Sequence, residues 1–170
     1  MVTDVGTPGY YVAADAMKYV QAPCSSQGPV GGGYPSGVFG PGSGAFSTTN
    51  AWFTDSGHGL AGQMLWTHTN GTTIDSTATW SPTLQPNTCY IVGVYVPDNY
   101  SNNPSATYYV WGNGDIHPQT YYVNENDYTN GWATLGNITT YSDGSVSVEL
   151  TDLGTTGQYV AAAAVRFVPC

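Results

Sequence analysis

The side chains that could carry out catalysis in this sequence do not form a catalytic pattern. The three histidines, His58, His68 and His117, stand apart from one another, and none lies in an H-E-x-x-H zinc motif. No serine lies in the G-x-S-x-G turn of an α/β-hydrolase. A glycosidase needs paired carboxyl groups, and the only glutamates are Glu125 and Glu149, the second within a predicted strand. We therefore predict that the chain is not an enzyme.

Aromatic and amide side chains, by contrast, are abundant in and beside the polar loops. Aromatic rings stack on the apolar faces of sugar rings, and neighbouring amides and carboxylates bond to sugar hydroxyls. This combination favours a glycan-binding surface. The residues predicted to form it are Trp66, Asp98, Asn99, Tyr100, Tyr109, Trp111, Tyr122, Asp127 and Tyr128.

The same loops supply the oxygen ligands that calcium prefers, most densely in "NENDYTNG" (124–131). The spacing is not that of an EF-hand, and no cysteine lies in a C-x-x-C pair or near a histidine at metal spacing. We predict no metal site and no cofactor, with calcium in these loops kept as an alternative.

Composition and charge exclude several classes of partner. The chain has 2 basic and 11 acidic residues and a net charge of −9, so it offers no basic footprint for nucleic acid. It contains no apolar run of 18 or more residues, and we predict no membrane insertion.

Only 8% of residues are charged, and the polar residues favour strands and turns over helices. These features predict an all-β extracellular protein.

Short apolar segments alternate with turn signals from residue 45 onward, at the spacing of an all-β sandwich. In "CYIVGVYV", Tyr90, Val92, Val94 and Val96 share one face. The final segment is predicted to place Tyr159, Ala161, Ala163, Val165 and Phe167 on one apolar face, with Arg166 opposite. The predicted strands are 45–53, 62–68, 75–80, 88–96, 105–111, 118–124, 131–136, 144–151 and 158–168.

The cysteine count is odd: Cys24, Cys89 and Cys170. If strands 88–96 and 158–168 lie antiparallel, the start of one is next to the end of the other, as a disulfide requires. We therefore predict a disulfide between Cys89 and Cys170, in an oxidising compartment, with Cys24 unassigned.

Five segments in order resemble a known family, over about residues 45–168: "AFSTTNAW", "TATWSPTLQPNTCYIVGVYVP", "GWATLG", "GSVSVELTD" and "YVAAAAVRFV". The chain resembles the golvesin C-terminal-like domain, also found at the end of xanthan lyases and described as carbohydrate-binding-like. The resemblance implies a secreted, non-catalytic β-sandwich of jelly-roll type. It also makes Trp52, Trp80 and Trp132 the recurring family tryptophans, which we predict to be core or inter-sheet packing.

The chain begins with a copy of its own ending. Residues 4–20 and 152–168 are identical at 10 of 17 positions. The organisation predicted is an extra strand resembling the last strand of a preceding repeat (1–21), a Gly/Pro/Ser-rich linker (22–44) and a sandwich domain (45–170).

Two functions follow from these features. The first is a secreted, non-catalytic module that binds polysaccharide or attaches to a surface. The alternative is a structural subunit of an extracellular fibre or tandem array, in which residues 9–20 enter a neighbouring copy by strand exchange. The assembly residues predicted for the alternative are Tyr10, Tyr11, Val12, Met17 and Tyr19.

Overall fold

The computed structural model describes residues 37–170, and their regular structure is almost entirely β-strand. Two 3-10 turns, Leu60–Gly62 and Glu125–Asp127, are its only helical segments, and no helix in the described part is long and apolar enough to cross a membrane. The strands are β1 (Val38–Phe39), β2 (Phe46–Thr49), β3 (Phe53–Ser56), β4 (Gln63–His68), β5 (Thr77–Trp80), β6 (Cys89–Val96), β7 (Ala106–Trp111), β8 (Gln119–Val123), β9 (Gly131–Thr139), β10 (Ser147–Thr151), β11 (Tyr159–Ala162) and β12 (Ala164–Pro169).

The strands form three antiparallel sheets. A four-stranded sheet has the order β1-β12-β6-β9, a five-stranded sheet the order β2-β5-β10-β7-β8, and a three-stranded sheet the order β11-β4-β3. Inward-facing residues of the four- and five-stranded sheets meet in one core, with Val92 and Val94 on one side and Trp80, Tyr108 and Leu150 on the other. The predicted all-β sandwich is confirmed, as is the shared buried face of β6.

The C-terminal segment departs from the prediction of one strand with one apolar face. β11 pairs with β4, whereas β12 pairs with β6, so the chain changes sheet at Ala163. Ala161 and Ala163 pack with Met64 in a second cluster, while Val165 and Phe167 lie in the main core. The prediction that these residues share a face with Tyr159 is wrong, because alternation holds only within one sheet.

The structure joins Cys89 and Cys170 in a disulfide with a Cα–Cα distance of 5.5 Å. β6 and β12 are antiparallel, and the pairing places Pro169 opposite Tyr90 at the end of the ladder. The amide of Cys170 donates to the carbonyl of Cys89 over 3.1 Å. The disulfide therefore links the end of β12 to β6, an inner strand of the same sheet.

Other boundaries also differ from the sequence interpretation: β9 continues to Thr139 beyond the predicted end at 136, and β10 begins at Ser147 instead of 144. Val38–Phe39 forms a strand against β12 within the segment predicted as linker, and Phe39 is buried in the core. The predicted strand 45–53 is divided into β2 and β3, because Asn50 adopts a left-handed conformation with φ 55° that ends the first strand.

The predicted family tryptophans have different environments. Trp80 is in the core and Trp52 packs against it, as predicted. Trp132 instead lies on the outer face of the four-stranded sheet, where the Arg166 guanidinium carbon is 4.6 Å from its ring centroid. Gly93 makes room for this contact, since a Cβ there would come within 2.8 Å of Nε of Arg166.

The predictions for the N-terminal copy lie outside the described residues. These are the extra strand with Tyr10, Tyr11, Val12, Met17 and Tyr19, the position of Cys24, and the linker before residue 37.

Candidate functional site

Five aromatic side chains form a cluster on the outer face of the three-stranded sheet, here called the aromatic cluster: Phe53, Trp66, His68, Tyr100 and Tyr159. The register explains its formation. Phe53 lies opposite Trp66 and Tyr159 lies opposite His68, so the rings of three strands project from one face. Tyr100 comes from the loop after β6.

Trp66 is held between two of these rings. Its ring centroid is 4.6 Å from that of Phe53 and 4.1 Å from that of Tyr100, with interplanar angles of 27° and 6°. The rings of Phe53 and Tyr100 would overlap if both stacked on the same face of the Trp66 indole at these distances. The two rings therefore lie on opposite faces of the indole. Trp66 thus has no free face for a sugar, although Phe53 remains 48% exposed.

A polar network borders the aromatic cluster. One carboxylate oxygen of Asp55, Oδ2, lies 3.0 Å from Nδ1 of His58 and accepts a bond of 3.0 Å from the Asn99 amide. The hydrogen bond to Asp55 raises the pKa of His58. Asp98, also predicted as a ligand residue, is exposed nearby. Asn99 is next to Tyr100, so its hydrogen bond to Asp55 holds the loop that carries Tyr100 against β3.

A second surface, here called the hydroxyl face, is the outer side of the five-stranded sheet. Its inward residues, such as Val148 and Tyr108, fill the core, so the alternate residues point outward. Five strands at about 4.8 Å spacing give a face about 19 Å wide. The outward residues that are exposed or half-buried are Ser47, Thr49, Thr77, Thr79, Tyr109, Trp111, Thr120, Tyr122, Ser147 and Glu149.

Three of the predicted stacking residues lie on the hydroxyl face. The rings of Tyr109 and Trp111 are 6.1 Å apart on one strand, and Tyr122 on the neighbouring strand is 69% exposed. Glu149 lies directly opposite Tyr109. Partial burial raises the pKa of the Glu149 carboxyl, and a hydrogen bond from Thr79 lowers it by less. This surface therefore presents aromatic rings beside hydroxyls and one carboxyl group.

Asp127 and Tyr128 do not join either surface. Asp127 accepts a hydrogen bond of 2.9 Å from the Asn124 amide in the second 3-10 turn, and Tyr128 packs against the core. Within residues 37–170, no three His, Cys, Asp or Glu side chains converge as a metal site.

Sequence reasoning missed several members of these surfaces. Phe53, His68 and Tyr159 join the aromatic cluster through the cross-strand register, which no local pattern reveals. Glu149 was predicted between apolar neighbours in a strand, and alternation on β10 was the signal that it points outward. Glu125, predicted in a loop, is 0% exposed, and its Oε2 accepts a hydrogen bond of 3.1 Å from the backbone amide of Asn103.

Comparisons with known proteins give the fold an independent identification. Residues 41–169 match the model of the golvesin C-terminal domain. The structure is similar to a Paenibacillus xanthan lyase, with 15% identity and a TM-score of 0.66, covering 78% of this chain and 13% of the lyase. No curated protein matches.

Two family 35 carbohydrate binding modules also share the fold. The module from Clostridium thermocellum has 15% identity and a TM-score of 0.55, covering 79% of this chain and 99% of the module. The module from an environmental isolate has 16% identity and a TM-score of 0.52, covering 77% and 91%. Sequence identities of 15–16% show only that the fold is shared. The family match, by contrast, spans most of the sequence. The chain belongs to the golvesin C-terminal domain family.

Proposed function

We propose that this chain is a non-catalytic, extracellular glycan-binding module and that its ligand lies on the hydroxyl face. The observation that carries the proposal is the arrangement of Tyr109, Trp111 and Tyr122 beside Glu149 and rows of serine and threonine hydroxyls. Aromatic faces and hydrogen-bonding groups on one open surface are what sugar rings require. The fold shared with two carbohydrate binding modules supports this class of function.

The hydroxyl face suits a ligand better than the aromatic cluster does. In the cluster, both faces of Trp66 are covered, and the Asp55 carboxylate is bonded to His58 and Asn99. These contacts stabilise a loop on the three-stranded sheet. On the hydroxyl face, by contrast, the exposed ring of Tyr122 stands at the surface.

The extracellular location is supported by the disulfide between Cys89 and Cys170, since such bonds persist in oxidising compartments. The non-catalytic character rests on the sequence, which lacks the nucleophile and zinc motifs discussed above.

A glycan array followed by calorimetry tests the proposal. Trp111→Ala is expected to weaken binding about tenfold or more, which corresponds to about 1.4 kcal/mol. Phe53→Ala is the matched control, because it removes an exposed aromatic ring from a strand in a different sheet. Absence of binding by the folded wild-type protein to any glycan would refute the function. A greater loss for Phe53→Ala would assign the ligand to the aromatic cluster.

Strand exchange is a second candidate function, because residues 4–20 duplicate the C-terminal segment 152–168. In the structure, residues 157–168 contribute both β11, which is paired only with β4, and β12, which lies between β1 and β6 and is linked to β6 by the disulfide. An incoming copy of residues 9–20 in this position must therefore displace both strands. Size-exclusion chromatography of the chain with and without residues 1–22 tests this alternative. Oligomers that disappear on truncation would support it, and an unchanged monomer would refute it.

A further inference from the structure

A groove of about 630 Å³ lies at one end of the hydroxyl face. Its volume is within the range of about 300–1,000 Å³ typical of small-molecule sites. Loops around residues 71–72 and 153–156 and the segment leading into β7 form its walls. The groove is thus built from three separate parts of the chain.

The groove and the hydroxyl face are continuous at Thr107. This residue lines the groove, lies opposite the exposed Tyr122 and precedes Tyr109 by two positions on the same face of β7. It is itself buried, and its hydroxyl donates to the Ser105 carbonyl over 3.4 Å. Its backbone carbonyl accepts a bond of 3.4 Å from the Thr151 hydroxyl on the adjacent strand. The groove therefore adjoins the end of the hydroxyl face that carries the exposed ring of Tyr122.

Backbone rather than side chains forms one part of the groove wall. Gly71 and Gly154 pair there as an antiparallel bridge, and the Gly154 amide donates to the Gly71 carbonyl over 3.0 Å. A Cβ at Gly154, whose φ is 151°, would collide with the buried amide of Asn103. The side-chain amide of Asn103 is held in turn by a hydrogen bond of 2.8 Å that it donates to the Leu153 carbonyl. The wall is therefore preformed and close-packed.

Among residues 37–170, no ionisable side chain lines the groove. Its exposed polar side chains are hydroxyls, which pair with sugar hydroxyls without leaving a charge desolvated. Arg166 is the one Lys or Arg among residues 37–170, and it lies over Trp132 on the four-stranded sheet, while the whole chain carries a net charge of −9. The exposed hydroxyl-bearing residues of the groove are Thr72, Ser105, Thr155 and Thr156.

We infer that the groove is a subsite for an uncharged sugar unit at the end of a glycan that lies on the hydroxyl face. This inference rests on the proposed function and adds two statements to it. The ligand is a chain of several sugar units, and the unit that enters the groove is neutral.

Calorimetry with neutral oligosaccharide series tests the inference: cello-, xylo- and manno-oligosaccharides of two to six units. Oligogalacturonates of matched length serve as the acidic series. Thr72→Trp places a large side chain at the exposed rim of the groove. Thr73→Trp is its matched control, because Thr73 is an exposed neighbour that does not line the groove. Thermal melts establish that both variants fold.

Wild-type affinity is expected to rise with length and to favour a neutral over the acidic series. Thr72→Trp should lose about tenfold in affinity for the longest oligosaccharide while binding short ones normally, and Thr73→Trp should match the wild type. Unchanged binding by Thr72→Trp would overturn the groove subsite and leave the proposed function intact. Preference for oligogalacturonates would overturn the assignment of a neutral unit. Failure of the wild type to bind any series, and any glycan on the array, would refute the proposed function and the subsite together.

Discussion

Replacing Glu125 by Gln should remove a pH dependence of stability that the wild-type protein carries. Glu125 is fully buried, and its Oε2 accepts a hydrogen bond from the backbone amide of Asn103. Burial raises the pKa of this carboxyl from 4.5 to about 8, against smaller lowerings by hydrogen bonds from the backbone amides of Asn103 and Ala161. The folded protein therefore holds a proton that the unfolded chain releases.

The sign and size of the effect follow from proton linkage. Between pH 4.5 and about 8 the folded state binds more protons at this site than the unfolded state does, so stability falls as pH rises. The stabilisation is complete below pH 4.5 and is lost by about pH 8. A rise of about 3.5 pKa units corresponds to about 5 kcal/mol.

Urea unfolding at a series of pH values from 5 to 8, with the disulfide intact, measures this dependence. Glu125→Gln keeps the shape of the side chain without an ionisable proton, so its stability should change much less over this range and exceed that of the wild type at pH 8. Glu149→Gln is the control, since the half-buried Glu149 carboxyl should contribute far less. Parallel stability curves for the wild type and Glu125→Gln would show that Glu125 is not the buried acid inferred here.

Three further predictions concern stability. Cys89→Ser should cost about 4 kcal/mol in urea unfolding, because the disulfide to Cys170 closes a loop with a sequence separation of 81; an unchanged midpoint would refute this. Val165→Asp should unfold the domain in a thermal melt, because it places an unpaired carboxylate at a core position that is 0% exposed. Arg166→Ala should cost only about 1 kcal/mol, through loss of the contact over Trp132, and greater damage than from Val165→Asp would contradict the assigned faces.

Much of the fold could be predicted because single strands carry their own pattern. Alternation in β6 identified Tyr90 and Val92 as core residues, and the structure buries both. The same rule failed at Ala163, because the chain changes sheet there and both sides of the segment become buried. The strand Val38–Phe39 was missed because two residues among glycines and prolines carry no period.

The candidate site was less predictable because it depends on register between distant strands. The stacking residues were expected in or beside polar loops, whereas the structure places Trp66, Tyr109, Trp111 and Tyr122 within strands. Their grouping was not predicted. Trp66 meets Phe53 and Tyr100 through pairing and loop contacts, which cover its ring. Tyr109 and Trp111 share a face through alternation alone, whereas the position of Glu149 beside Tyr109 required the alignment of β7 with β10.

The most direct test of glycan binding on the hydroxyl face is a nitrogen-15 NMR titration with an oligosaccharide from the series that binds most tightly. The indole N–H signals report on the two surfaces separately, since Trp111 lies on the hydroxyl face and Trp66 in the aromatic cluster. We expect saturable shifts of the Trp111 indole and of the Tyr109 and Tyr122 amides, with little change at Trp66. Shifts centred on Trp66, with Trp111 unmoved at saturation, would contradict the account.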